Sequence, residues 1–110
     1  MTLLSKHCTP GAPALTEAAV AALLPQVPGW AVIDGKLQSS FTFKNYYETM
    51  AFVNAMAWVS HQQDHHPDLM VSYKLCAVSY TTHSAGGDLS ENDFICAAKV
   101  SALYVQRAPA

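Results

Sequence analysis

Apolar and polar side chains alternate between residues 36 and 43, which predicts a strand with one buried face. The residues on the face predicted to be buried are Leu37, Ser39, Phe41 and Phe43. The apolar stretch from Trp30 to Ile33 precedes this strand and is separated from it by Asp34-Gly35. Because Asp-Gly accepts the positive φ angles of a type I′ turn, the two stretches are predicted to pair as an antiparallel hairpin.

A second hairpin is predicted over residues 69–73 and 75–82, which are rich in strand-forming side chains, with its turn near Lys74. In its second strand the side chains predicted to face the core are Cys76, Val78 and Tyr80. Those predicted to point the other way are Ala77, Ser79, Thr81 and His83.

Helices are predicted before, between and after the two hairpins. The first begins after Thr16, a favoured N-cap residue, and is ended by Pro25. The last begins after Ser90, which has capping-box spacing with Asp93, and runs to about Arg107. Its predicted core stripe consists of Phe94, Ala98, Ala102 and Val105.

The central helix is the longest predicted element. Asn45 and Glu48 have capping-box spacing, no Gly or Pro occurs between Tyr46 and Val59, and Pro67 sets the latest end. Apolar residues occupy nearly every side of this helix, which is typical of a helix buried on two sides. In so small a chain, we expect the second side to contact another subunit, giving a homo-oligomer.

The order helix, hairpin, helix, hairpin, helix predicts the α+β class, a four-stranded antiparallel sheet with three helices packed on one face (α-β-β-α-β-β-α). Residues 15–110 are predicted to form a single domain. Residues 1–14, which contain Pro10, Gly11 and Pro13, are predicted to be a flexible N-terminal arm.

Composition narrows the class of protein. The chain is 51% hydrophobic and 13% charged, which favours burial of surface against copies of itself. Its net charge of −2 provides no basic field, so no direct nucleic-acid binding is expected. No apolar run approaches membrane-spanning length, so no membrane contact is expected. The three cysteines are widely spaced, which predicts reduced thiols, mostly core filler, in a cytoplasmic protein.

Histidines carry the strongest chemical signal. His65 and His66 lie within Asp64-His65-His66-Pro67-Asp68 at the exit of the central helix, and His83 follows Thr81-Thr82 at a strand end. Imidazole both gives and accepts protons near neutral pH, so the cluster suggests proton transfer or a metal. A structural alternative is that one of the paired histidines stabilises the helix C-terminus, a contribution of about 0.3–1 kcal/mol.

Metal binding is the competing chemical interpretation. His61 and His65 have the four-residue spacing of zinc ligands on one helix face, with His66 or His83 as a third ligand. Against this, Pro67 interrupts the helix, and no Cys or Glu flanks the cluster in a recognised order. We therefore expect no metal.

The spacing His61-x-x-x-His65-His66-Pro67, followed by Tyr73, His83 and Asp93, resembles the signature of the pterin-4a-carbinolamine dehydratases. The resemblance covers nearly the whole chain and includes residues 28–30, 41–44 and 86–94. It implies the same order of elements and a dimer or tetramer. Some relatives also act as dimerisation partners of a transcription factor, so a non-enzymatic co-regulator module that uses the central helix is the alternative function.

The implied activity is dehydration of 4a-hydroxytetrahydropterin to quinonoid dihydropterin, a hydro-lyase reaction that recycles the cofactor of aromatic amino-acid hydroxylases. No cofactor is implied, because imidazoles supply both the acid and the base that loss of water requires. By position, the implied catalytic residues are His65, His66 and His83. The implied substrate-binding residues are Asp64, Thr81, Thr82, Ser84 and His61. Asp93 belongs to the signature, but its spacing from Ser90 favours helix capping.

The chain departs from the family pattern at two positions. His61 stands where members often have Glu, and a carboxylate there would raise the proton affinity of the neighbouring histidines, whereas an imidazole would not. Asp88 is an extra residue between the double glycine and Leu89. We expect the first difference to affect the pH optimum or rate, and the second to reshape the loop after His83.

Overall fold

Four antiparallel strands form one sheet in the order β1-β2-β4-β3. The computed structural model describes residues 2–106, and the strands are β1 (Ala31–Ile33), β2 (Lys36–Thr42), β3 (Asp68–Val71) and β4 (Leu75–Tyr80). Both predicted hairpins are confirmed, and β2 and β4 pair at the centre of the sheet, with Phe41 opposite Cys76. The strands of the second hairpin end earlier than predicted, so Thr81, Thr82 and His83 follow β4.

The first hairpin turns as its sequence predicts. Ile33 pairs directly with Lys36, which leaves Asp34 and Gly35 as a two-residue turn. Their φ angles are 53° and 74°, the positive values that a type I′ turn requires at both central positions. The Asp-Gly pair therefore fixes the register of β1 against β2.

The described residues form three α-helices, which are α1 (Glu17–Leu23), α2 (Tyr46–Gln63) and α3 (Glu91–Gln106). Short 3-10 turns cover Leu3–Ser5, Leu24–Gln26 and His83–Ala85. The predicted N-caps are confirmed: the side chains of Thr16 and Asn45 accept hydrogen bonds from the N–H groups of Ala19 and Glu48. The predicted end of the last helix at Arg107 lies outside the described residues.

The core lies between one face of the sheet and the helices, and the predicted α+β architecture is confirmed. The inward residues of β4 are buried as predicted: Cys76, Val78 and Tyr80. α2 contributes one buried stripe, formed by Thr49, Phe52, Met56 and Ser60. In α3 the prediction of Val105 as a core residue is wrong, since its side chain is 80% exposed. In the last turn of α3 it is Tyr104 that packs against the core, next to Phe41, so Val105 lies on an outer side of the helix.

The N-terminal segment differs from the loose arm that we expected. Leu3 and Ala12 are buried, Lys6 forms a 2.8 Å ion pair with Glu91, and the backbone carbonyl of Leu4 accepts a hydrogen bond from Lys99. Segments rich in proline and glycine lack a periodic pattern, so these long-range contacts leave no local signal in the sequence. The segment lies along α3 and reaches the end of α2.

Membrane insertion was not expected from the sequence. Across residues 2–106, none of the helices combines the length and hydropathy needed to span a bilayer.

Candidate active site

A cleft of about 540 Å³ opens where α2 ends, β4 ends and α3 begins. The lining comes from the end of α2 and the turn after it, the residues that follow β4, the first turn of α3 and the N-terminal segment. The lining residues are Cys8, Thr9, Pro10, Gly11, Gln62, Gln63, Asp64, His65, His66, Thr81, Thr82, His83, Ser84 and Asn92. The cleft is within the size range of small-molecule sites.

The three predicted catalytic histidines all line this cleft. His65 is largely buried, with 11% of its side chain exposed, whereas His66 is exposed. His83 is also exposed and begins the 3-10 turn His83–Ala85. The structure therefore brings together imidazoles from two separate segments of the chain.

The end of α2 sets the direction of the paired histidines. The N–H of His65 donates to the carbonyl of Ser60, and the N–H of Asp64 donates to that of His61. This is the Schellman pattern of helix termination, which requires a left-handed residue where Asp64 stands, with φ 48° and ψ 44°. Glycine is the usual residue at this position, and Asp adopts the left-handed conformation more readily than most other residues do. Asp64 thus has a backbone role in ending the helix.

His65 pairs with a buried carboxylate. Its Nε2 lies 2.7 Å from Oδ1 of Asp93, and Asp93 is fully buried. Sequence analysis favoured capping alone for Asp93, and the structure adds this contact to it. The pair joins residues 28 positions apart, so no local spacing rule predicts it.

The second oxygen of Asp93 is also occupied. Oδ2 accepts hydrogen bonds from the Thr82 hydroxyl at 2.8 Å and from the Ser90 N–H at 2.9 Å. Since the Thr82 proton goes to Asp93, the Ser90 hydroxyl donates to Thr82 Oγ1, 2.7 Å away, and accepts from the Asn92 N–H. The predicted capping at the start of α3 is therefore present. The same network fixes the carboxylate that faces His65.

Two opposing effects act on the pKa of His65. Burial lowers the pKa of this imidazole. The hydrogen bond and the negative charge of Asp93 raise the pKa by more than burial lowers it, so the net shift is upward. The ring also lies parallel to the buried ring of Tyr80, with centroids 5.7 Å apart and an interplanar angle of 7°. The contacts from Asp93 and Tyr80 hold the imidazole in one orientation.

This shift predicts a pH-dependent contribution to stability. A folded-state pKa above the ordinary 6.5 means that the protonated form of His65 stabilises the fold; the gain is complete below the unfolded pKa and lost as the pH rises through the folded pKa. Replacing His65 by Gln is therefore expected to lower the free energy of unfolding more at about pH 5.5 than at about pH 9, measured by urea denaturation. His66→Gln, at an exposed position, is the matched control. A His65→Gln effect that does not change with pH would contradict the assignment.

The predicted substrate-binding residues fall into two groups. Asp64, Thr81, Thr82 and Ser84 line the cleft with the histidines. The Thr82 hydroxyl is bonded to Asp93 and Ser90, its N–H donates to the carbonyl of Asp88, and its carbonyl accepts from the N–H groups of Ala85 and Gly87. His61 does not line the cleft; its ring packs 5.5 Å from that of Trp58 and borders an adjacent cavity.

The arrangement bears on the metal alternative. His61 and His65 do not share a cavity, and the Nε2 of His65 is bonded to Asp93. Among the residues that the structure describes, no three His, Cys, Asp or Glu side chains come together in a metal-binding cluster.

Sequence reasoning did not identify Cys8, Thr9, Gln63 or Asn92 as cleft residues. Cys8 was expected to be core filler, as Cys76 and Cys96 are, yet it is only half-buried, and its Sγ lies 3.5 Å from that of Cys96. The hydrogen bond between these thiols lowers the pKa of Cys8 and raises that of Cys96. The closeness of Gln63 to the double histidine is the one signal that could have drawn attention to it.

Comparisons with known proteins agree with this arrangement. Residues 13–103 match the family model described as pterin 4 alpha carbinolamine dehydratase. A Nitrosomonas eutropha protein that carries a pterin-4-alpha-carbinolamine dehydratase name is 58% identical over 101 residues, covering 91% of this chain and 88% of that protein. A Stenotrophomonas maltophilia protein with the same kind of name is 62% identical over 94 residues, covering 84% of this chain and 80% of that protein.

A solved structure extends the similarity to the fold. The crystal structure of a transcriptional coactivator/pterin dehydratase from Brucella melitensis superposes with a TM-score of 0.78 at 29% sequence identity. The superposition covers 83% of this chain and 98% of that one. The histidine signature, the α+β fold and the family match over residues 13–103 lead to one conclusion: this chain belongs to the pterin 4 alpha carbinolamine dehydratase family.

Proposed function

We propose that this protein dehydrates 4a-hydroxytetrahydropterin to quinonoid dihydropterin, with His65, His66 and His83 supplying the acid and the base. The observation that supports it is the meeting of three imidazoles in one cleft, one of them held by a buried carboxylate. The family membership supports the same reaction class. In a cell this reaction returns an oxidised pterin to the pool from which tetrahydrobiopterin-type cofactors are regenerated.

The reaction needs two proton transfers. The hydroxyl on the 4a carbon accepts a proton, the carbon–oxygen bond breaks, and water leaves. The ring nitrogen next to that carbon loses its proton, and the electron pair forms the new carbon–nitrogen double bond. A positioned acid or base contributes about 10²–10⁴-fold to such a step. Three imidazoles in one cleft supply both functions.

Asp93 gives His65 a defined protonation pattern. Because the carboxylate faces Nε2, neutral His65 carries its proton there and leaves Nδ1 as an acceptor. Protonated His65 presents Nδ1–H as a donor instead. His66 and His83 are exposed and line the same cleft. Acid and base are therefore assigned to the set of three imidazoles and not to single residues.

The polar lining of the cleft suits the amide and amino edge of a pterin. We propose that Asp64, Thr81 and Ser84 hold that edge. Thr82 lines the cleft, but its hydroxyl and its backbone groups are bonded within the protein, so its part is to shape the lining. His61 is left out of this set, since its imidazole borders the adjacent cavity.

The direct test follows the formation of quinonoid dihydropterin from a 4a-hydroxytetrahydropterin by stopped-flow absorbance. Wild-type protein is expected to accelerate the reaction with saturation kinetics. A rate equal to the uncatalysed one at every protein concentration would rule out the dehydratase proposal.

A second function, association through α2, is favoured by one observation. Tyr46, Tyr47 and Trp58 expose 51%, 82% and 61% of their surface on this helix. Exposed aromatic side chains are enriched at protein interfaces. We propose that copies of this chain form a homodimer or homotetramer through α2, or that a regulatory partner binds there, in line with the coactivator name of the Brucella melitensis protein. A single-chain mass in sedimentation equilibrium would contradict self-association.

A further inference from the structure

Residues 8–11 form a part of the cleft that the catalytic chemistry does not use. This segment, here called the N-terminal wall, consists of Cys8, Thr9, Pro10 and Gly11, and all of its members line the cleft. The family model begins at residue 13, so the wall precedes the matched stretch that contains the three histidines and Asp93.

The wall is fixed to the helices that carry the catalytic groups. The Thr9 N–H donates to Oδ1 of Asn92 at 3.1 Å, and the Asn92 amide donates back to the Thr9 carbonyl at 2.9 Å. The Cys8 N–H donates to Oε1 of Gln63 at 2.8 Å. Asn92 precedes Asp93, and Gln63 is the last residue of α2 before the turn to His65. The wall is therefore held in register with the reacting groups.

The chemistry of the wall differs from that of the rest of the cleft. Thr9, Pro10 and Gly11 are exposed and uncharged, and none of them donates or accepts a proton near neutral pH. The Cys8 thiol is occupied by its contact with Cys96. A surface of this kind limits the shape of a ligand without taking part in acid–base catalysis.

We propose that the N-terminal wall determines specificity by contacting the substituent on the pterin ring and limiting its size. The inference rests on the proposed function, in which the imidazoles occupy the reacting edge of the ring. The wall then governs KM and substrate preference, while kcat depends on the histidines. When a pocket accepts or rejects a group the size of one methylene, the ratio of kcat/KM values between two substrates typically changes by about 10–200-fold.

Thr9→Tyr tests this inference, because an exposed position accepts a larger side chain without disturbing the core. The substrates are 4a-hydroxytetrahydropterins that carry either a methyl or a dihydroxypropyl group on the ring. We expect kcat/KM for the longer substrate to fall at least about tenfold, through KM, and that for the methyl substrate to stay within about threefold. Thr42→Tyr, at an exposed position on β2 away from the cleft, should change neither.

Gln63→Ala provides an independent variant, because it removes the anchor of Cys8 without adding bulk. It is expected to raise KM and to reduce the preference between the two substrates, with kcat little changed. An unchanged preference in both variants, with normal wild-type catalysis, would overturn the inference and leave the dehydratase proposal intact.

Binding measurements separate the two proposals. The affinities of oxidised pterins with the same two substituents are measured calorimetrically for wild type and Thr9→Tyr. If wild type catalyses no dehydration but Thr9→Tyr selectively weakens binding of the longer pterin, the proposed function fails and the role of the wall stands. If both proteins bind the two pterins in the same ratio, the role of the wall is wrong.

Discussion

Asp93→Asn is expected to lower kcat/KM for pterin dehydration by about 10²–10⁴-fold and to destabilise the fold by about 3–5 kcal/mol where His65 is protonated. The Thr82 hydroxyl and the Ser90 N–H both donate to Oδ2, so the amide oxygen of Asn will occupy that position. Its NH₂ group then faces Nε2 of His65. The imidazole must accept that hydrogen bond and carry its proton on Nδ1, the wrong tautomer for a base facing the substrate.

Steady-state kinetics, chemical denaturation and nitrogen NMR of the His65 tautomer together check this result. Asp88→Asn is the matched control, because it removes an exposed carboxylate from the loop before α3 and is expected to change stability by no more than about 0.5 kcal/mol. Activity of Asp93→Asn within tenfold of wild type would mean that the tautomer of His65 does not matter for catalysis.

His66→Ala and His83→Ala are each expected to lower kcat by about 10²–10⁴-fold. Both side chains are exposed, so the free energy of unfolding should change by no more than about 0.5 kcal/mol. The separation of activity from stability distinguishes these residues from His65, which contributes to both. The double variant should lose less than the product of the single losses, because the groups act as a unit.

His61→Ala is the control for both variants. It removes an exposed imidazole from the same end of α2. This imidazole packs on Trp58 and lies outside the cleft. Its kcat/KM should remain within about threefold of wild type. A loss as large as that of His66→Ala would place His61 at the substrate, as the sequence resemblance implied.

Local features of the fold were predictable because each depends on neighbouring residues. Asp34-Gly35 allows two positive φ angles, Asn45 caps α2, and the alternation along β4 separates buried from partly exposed side chains. Val105 shows the limit of such periodicity. Spacing of three or four residues allows either of two neighbours to continue a stripe, and in the last turn of α3 Tyr104 rather than Val105 faces the core.

The candidate site was predictable only in part. The histidines have a recognisable spacing, but their partners come from distant positions: Asp93 is 28 residues from His65, and Asn92 is 83 residues from Thr9. Contacts of this kind depend on how α2, α3 and the N-terminal segment pack. No rule of periodicity, capping or turn chemistry contains that information.

The left-handed conformation of Asp64 has a consequence for the double histidine that follows it. By reversing the chain after α2, it turns one imidazole toward the protein interior and leaves its neighbour in solvent. Two identical letters in the motif are thus chemically inequivalent, and exchanging their roles would require a different backbone. The left-handed backbone at Asp64 thus makes two identical side chains different in exposure.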